Sequence, residues 1–176
     1  PYTTLFRSAR TFYSPLRGNA QLIWFQQGFV EYRFPNLTNP LLELHEISFC
    51  MELCSEAPGF LEDWPSDITV SINGHEVATY CSPGDYGARR GRLTPPAWPN
   101  GRTQYGLLKN FSVRESGSYL DGRLIDPQLS LKDLKLQDHP YISLLIQIKK
   151  DARHIGGINL FGEKYGDFPQ GIVMSL

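Results

Sequence analysis

The sequence predicts an all-β fold: an antiparallel β-sandwich, with a jelly roll as the favoured topology and a barrel as the alternative. Three observations lead there. Roughly ten short stretches carry apolar residues with period two or as brief continuous runs. Gly, Pro, Asn and Asp punctuate them at strand-length intervals, and no stretch has the 3.6-residue periodicity of a long helix.

Taken in order, Gln21 to Gln26 (QLIWFQ) is an apolar strand, and Gly28 to Phe34 sets Phe29, Glu31 and Arg33 against Val30, Tyr32 and Phe34. Pro35, Asn36, Asn39 and Pro40 then break the chain. Leu44 to Ser55 places His45, Ile47, Phe49, Met51 and Leu53 on a packed face, and Glu46, Ser48, Cys50, Glu52 and Cys54 on a wet one. Ala57 to Ser66 reads as a loop with Phe60 and Trp64 tucked beneath it. Asp67 to Tyr80 is a hairpin, because Asn73-Gly74 supplies the two positive φ angles of a type I′ turn. Leu107 to Arg114 and Tyr119 to Ile125 are strands joined by a Glu-Ser-Gly-Ser turn, and Leu129 to Leu136 fits either a strand or a helical turn. Tyr141 to Lys150 turns Ile142, Leu144, Ile146 and Ile148 inward; Ile158 to Phe161 and Gly171 to Leu176 close the sheet.

Length allows one domain with a real core and not two. A net charge of −1 gives no field to gather nucleic acid, and no apolar run reaches the length of a membrane span. Three cysteines without framework spacing argue against a secreted disulfide scaffold and for a reducing, cytoplasmic setting. The first eight residues, PYTTLFRS, read as a non-native extension resembling translated sequencing-adapter sequence, with native sequence expected from Ala9 to Leu176 as a single sandwich domain. An ordinary first edge strand is the alternative.

The segment from Ser82 to Gly106, SPGDYGARRGRLTPPAWPNGRTQYG, has neither periodicity. Connections this long inside a compact domain are usually binding loops or lids, and disordered linkers avoid bulky aromatics. Tyr86, Trp98 and Tyr105 interleaved with Arg89, Arg90, Arg92 and Arg102 therefore predict an ordered loop. Its guanidinium groups can bind a carboxylate or phosphate bidentately, or pair with Asp85, Glu115 or Asp121 to brace the loop, the commoner fate. Trp98 can present its face to a sugar or plug the loop onto a sheet. Asp121, in Tyr119-Leu120-Asp121-Gly122, belongs to turn chemistry.

His154, Gly156, Gly157 and Asn159 form H-I-G-G-I-N, a bend whose glycines admit close backbone approach while His and Asn offer directional hydrogen bonds. A strand bulge with a hydrogen-bonded His is the blander reading. The four histidines show no HxH, HxxxH or HExxH spacing, and there is no GxSxG. A zinc site from Cys50, Cys54 and a distant His is set aside, so neither a metal, a cofactor nor an enzymatic constellation is expected.

Two runs, INGHEVATYCSPGDYGARRGRLTPPAWPNGRTQYGLLKNFSVRESGSYLDG and HIGGINLFGEKYGDFPQGIVMSL, resemble the C-terminal β-rich region of large bacterial ArsR-type winged-helix transcriptional regulators. The long loop is the most specific part, together with Trp98-Pro99 and Gln104-Tyr105-Gly106-Leu107. The resemblance implies DNA binding through an N-terminal winged helix that lies outside these residues, a homodimer, and effector sensing or oligomerisation here. The Cys-rich recognition-helix motif through which short members sense metal is not in this sequence. The V-x-I-N-G turn is similar to one frequent in galactose-binding-like jelly rolls, which favours a carbohydrate-like effector.

The expected site is accordingly a rim of the sandwich built from Asp85, Tyr86, Arg89, Arg90, Arg92, Trp98, Tyr105, His154 and Asn159. Trp98 and Tyr105 would stack on the ligand, Asp85, Arg89 and Arg90 would hydrogen-bond it, and His154 and Asn159 would form the opposite wall. A carbohydrate-binding module of a larger hydrolase and a jelly-roll enzyme are the competing expectations. A structural dimerisation domain is a further one.

Overall fold

In the computed structural model, which describes residues 4–6, 10, 13–39, 41 and 43–176, the fold is the predicted all-β sandwich. Its strands are β1 (Thr4–Phe6), β2 (Ala20–Phe25), β3 (Gly28–Pro35), β4 (Glu46–Cys54), β5 (Ser66–Ile72) and β6 (His75–Ser82). They continue with β7 (Leu107–Arg114), β8 (Gly117–Leu120), β9 (Arg123–Asp126), β10 (Tyr141–Ile148), β11 (Ile158–Phe161) and β12 (Val173–Ser175). One sheet runs β1-β2-β11-β4-β7-β8-β9, with β12 sharing the β11 edge of β4, and the other runs β3-β10-β5-β6. Pairings are antiparallel except β1 with β2, which is parallel. Of the first eight residues, expected as a non-native extension with a first edge strand as the alternative, Thr4–Phe6 form β1 and pair with β2 at the end of the larger sheet; residues 1–3 and 7–8 lie outside the described residues.

The core lies between the sheets. Ile47, Phe49, Met51 and Leu53 of β4 are fully buried and face Ile68, Val70 and Ile72 of β5 and Ile142, Leu144 and Ile146 of β10 in one apolar cluster. Period-two alternation places these residues on one side of each strand, and removing their apolar surface from water is the main stabilising contribution.

Two local expectations are corrected and one left open is decided. His45 lies ahead of β4 and is exposed, so the packed face begins at Ile47. The expected strand Tyr119 to Ile125 is two strands, because Asp121 (φ 51°) and Gly122 (φ 78°) turn the chain between β8 and β9. The 129–136 segment resolves into turns leading to a 3-10 turn, Leu136–Asp138. The Asn73-Gly74 turn has φ values of 47° and 84°, as a type I′ hairpin requires.

The far face of β4 is not uniformly wet. Glu52 and Cys54 are both fully buried. Leu22, Cys54, Phe161 and Tyr165 form a second apolar cluster, on which Trp24, Tyr86 and Trp98 pack. The 82–106 loop thus lies over this end of the larger sheet as a third layer. Apolar side chains at the polar phase of the strands are explained by that cover.

Candidate functional site

The 82–106 loop is moored along its whole length. Asp85 N–H donates to Leu61 O at 2.8 Å, Gln104 N–H to Tyr86 O at 2.7 Å and Leu93 N–H to Gly166 O at 2.8 Å. Two buried carboxylates anchor its ends. Asp85 accepts from Ala57 N–H and from the Thr103 hydroxyl, each at 3.0 Å, both on Oδ2. Burial pushes its carboxyl up to about 7, against the opposing pull of those two hydrogen bonds. Its Oδ1 is 3.9 Å from Cys54 Sγ, and burial together with the Asp85 charge pushes that thiol well up. Glu52 accepts from Gly106 N–H at 2.7 Å and from the amides of Asp167 and Phe168. Burial holds the Glu52 carboxyl above its ordinary range despite these three donors.

Arg89 and Arg90 brace the loop, through partners other than Asp85, Glu115 or Asp121. Arg89 forms a bidentate pair with Asp167, and its guanidinium carbon stands 3.6 Å from the centroid of the Tyr105 ring. Tyr105 also stacks on Tyr86, with centroids 5.3 Å apart. Burial acts to raise the Asp167 carboxyl, but the bonds from Arg89 and from Arg92 N–H take it below the ordinary range. Arg90 ties the loop to itself through the carbonyls of Trp98 and Pro95 and the side chain of Asn100. Arg92 contributes its backbone amide, and its side chain is exposed.

Trp98 is both plug and wall. Its Nε1–H donates to Thr103 O at 2.8 Å, and its ring meets Tyr165 edge-on at 5.4 Å. It also lines an open cleft of about 1000 Å3 between the loop and the β2–β11 edge. Trp24, Gln26, Glu56, Arg102 and Asn159 share that lining. Asn159 is positioned by its Nδ2–H bond to Ser55 O at 2.7 Å. The structure therefore brings Trp98 and Asn159 to one cleft, as expected, and adds Trp24 and Arg102.

The remaining predicted residues lie elsewhere. Arg89 and Arg90 border a separate hollow of about 400 Å3, which Phe60 also lines. Asp85 is fully buried beneath the loop, and Tyr86 and Tyr105 form the stacked pillar beside it. His154 sits beside the N-terminal end of β5, where its Nδ1 is 3.2 Å from Asp67 Oδ1 and 3.9 Å from Cys81 Sγ.

Glu52, Thr103 and Asp167 carry much of the architecture and carry no motif. Glu52 stands at a polar position of an alternating strand, and its burial depends on a loop far along the chain. Among the described residues, no helix is long and apolar enough to cross a membrane. No family model, curated protein or solved structure matches the chain.

Proposed function

We propose that this chain is the effector-binding or oligomerisation domain of a bacterial ArsR-type transcriptional regulator, and that it takes a small polar, carbohydrate-like molecule in the Trp24–Trp98 cleft. The composition of that cleft carries the reading. Two indoles offer flat apolar faces, Gln26 and Asn159 offer amides, and Glu56 and Arg102 offer charge, all on one open concavity. Sugars combine apolar C–H faces with rings of hydroxyls, and such a mixed lining complements both. The family part of the proposal is supported by the loop and HIGGIN sequences described above. In that setting the domain works as a dimer, and the ligand acts by binding one arrangement of the paired winged helices more tightly than the other.

Burial pushes the Asp85 carboxyl into the range that suits a general acid, but the side chain is fully buried and held by Ala57 and Thr103, which favours a supporting role over an enzymatic one. The binding claim is tested by thermal-shift measurements with a panel of mono- and disaccharides. At least one sugar is expected to raise the wild-type melting temperature, with the effect lost in Trp98→Ala and in Arg102→Ala. A panel without effect, or an effect that survives both substitutions, contradicts it. The family claim is tested by sequencing the source locus upstream of the coding region for this chain: an in-frame winged helix supports it, and a hydrolase domain there favours a carbohydrate-binding module.

A further inference from the structure

Outside the cleft, three side chains with metal-ligating atoms converge at the β5–β6 edge. The ligating atoms of Asp67, Cys81 and His154 all lie within 4.8 Å of one another. The fold builds this cluster in two steps. A type I′ hairpin running in simple register from the Ile72–His75 pair would set Asp67 opposite Tyr80. Instead Val70 pairs Ala78 while Ser71 pairs Glu76, leaving Val77 as an extra residue. This bulge advances the register by one and seats Cys81 directly opposite Asp67. The 152–157 loop then docks on the same strand: Asp67 N–H donates to His154 O at 2.9 Å, and His154 N–H donates to Asp67 Oδ2 at 3.0 Å.

The geometry distinguishes a metal site from a proton relay. In a Cys-His-Asp relay the two imidazole nitrogens face different partners. Here the same nitrogen, Nδ1, faces both Cys81 Sγ at 3.9 Å and Asp67 Oδ1 at 3.2 Å. Zinc bonds of about 2.3 Å to sulfur and about 2.0–2.1 Å to nitrogen or oxygen, at tetrahedral angles, require ligand separations of about 3.5 Å and about 3.4 Å. The Nδ1–Oδ1 distance of 3.2 Å is close to its value, while Sγ at 3.9 Å from Nδ1 and within 4.8 Å of Oδ1 must draw in by a few tenths of an ångström or more, within reach of a side-chain rotation. Asp67 Oδ2, the oxygen not used, is already held by the His154 amide, the kind of outer bond that orients a ligating carboxylate.

We propose that Asp67, Cys81 and His154 form a binding site for one zinc ion, coordinated by Oδ1, Sγ and Nδ1 with a fourth position left to water. Bond formation displaces the Cys81 thiol proton to solvent and involves no change of oxidation state. The site stands apart from the sugar cleft but touches it through the chain. The loop that carries His154 continues through Gly157, packed against Phe25 and Gln26, to Asn159 in the cleft wall.

Titration of the full chain with Co2+ as a spectroscopic probe and Zn2+ as competitor tests the site. The expected result is one equivalent of Co2+ with a thiolate-to-cobalt charge-transfer band and tetrahedral d–d bands, displaced by Zn2+. Cys81→Ser and His154→Ala are expected to abolish the band and lower zinc affinity by at least about 100-fold, beyond the range typical of outer-shell changes. Cys50→Ser is expected to leave both unchanged. A wild-type chain without the band, or a band that survives Cys81→Ser, overturns the proposal. A measurement that needs no variant accompanies it: Zn2+ is expected to protect Cys81 from alkylation in the wild-type chain, read by peptide mapping. Equal alkylation with and without Zn2+ overturns the proposal as well.

Discussion

The backbone amide of Asp167 donates to both carboxylate oxygens of Glu52, at 2.9 and 3.0 Å, across 115 residues of chain. Glu52 is fully buried and also receives Gly106 N–H and Phe168 N–H, so one strand side chain ties down two loops. Gly166 is required beside it, since a Cβ there would stand 2.5 Å from the carboxylate oxygens. Removing the acceptor leaves buried donors without partners, at about 1–3 kcal/mol each before relaxation. Glu52→Ala is therefore expected to cost about 3 kcal/mol, which corresponds to a fall of about 6–12 °C in Tm for a chain of this length. Glu52→Gln should recover only part of this, because its amide donors face N–H groups. Calorimetry on the two variants checks the order.

Asp85 gives the domain a pH dependence of defined sign. Its folded-state carboxyl is pushed up to about 7 from an ordinary value of 3.8, chiefly by burial. The folded state therefore holds a proton that the unfolded state has released across that window. Stability from this group is fully present below about 4 and is lost as pH rises toward about 7, by up to about 4 kcal/mol. Glu52, also raised, acts in the same direction. The lowered carboxylates, Asp67 and Asp167 among them, act below this window. Melting curves from pH 4 to 8 should show wild-type stability falling with pH, and Asp85→Asn should flatten the profile. A wild-type profile that rises across this range would contradict the assignment.

Arg89 joins the tyrosine pillar to Asp167. The guanidinium is about half exposed, so solvent screens the ion pair, and the contact with Tyr105 adds a comparable small contribution. Arg89→Ala should cost about 1 kcal/mol in denaturant unfolding. Arg89→Lys should not restore it, because a lysine ammonium lacks the planar fork that meets both Asp167 oxygens.

Gly91 marks the tightest crossing of the loop. A Cβ there would lie 2.0 Å from Gln104 O and 2.4 Å from Thr94 Oγ1, which itself donates to Gln104 O at 2.5 Å. Gly91→Ala should separate the two arms of the loop, seen as protease cleavage within 82–106 at concentrations that leave the wild type intact. Gly101→Ala serves as its control for space, since nothing lies near its Cβ position, although its φ of +76° adds some strain.

The strands were legible because period two survives in the sequence wherever one face meets the core, as in Ile142, Leu144, Ile146 and Ile148. The Asn73-Gly74 turn was legible because only a few residue types tolerate its backbone. Order in the 82–106 loop was legible from its aromatics, and the bracing role of Arg89 and Arg90, though not of Arg92 or Arg102, from the usual fate of loop arginines. The identity of their partners was not. Asp167 meets Arg89 across 78 residues, and nothing local to either marks the pairing. The same holds for His154, whose neighbours Asp67 and Cys81 are fixed by a one-residue bulge at Val77. His45 shows the complementary failure: the alternation in the sequence runs past the strand's first residue, Glu46, to a side chain that is exposed.

The three tryptophans offer the most direct test of the cleft, because Trp24 and Trp98 line it and Trp64 does not. Their indole N–H signals can be followed separately in a two-dimensional 1H–15N spectrum while mono- and disaccharides are added. A bound sugar is expected to move the Trp24 and Trp98 signals together, saturably, with Trp64 unmoved. Signals that stay fixed across the panel, or a Trp64 shift as large as the other two, would contradict it.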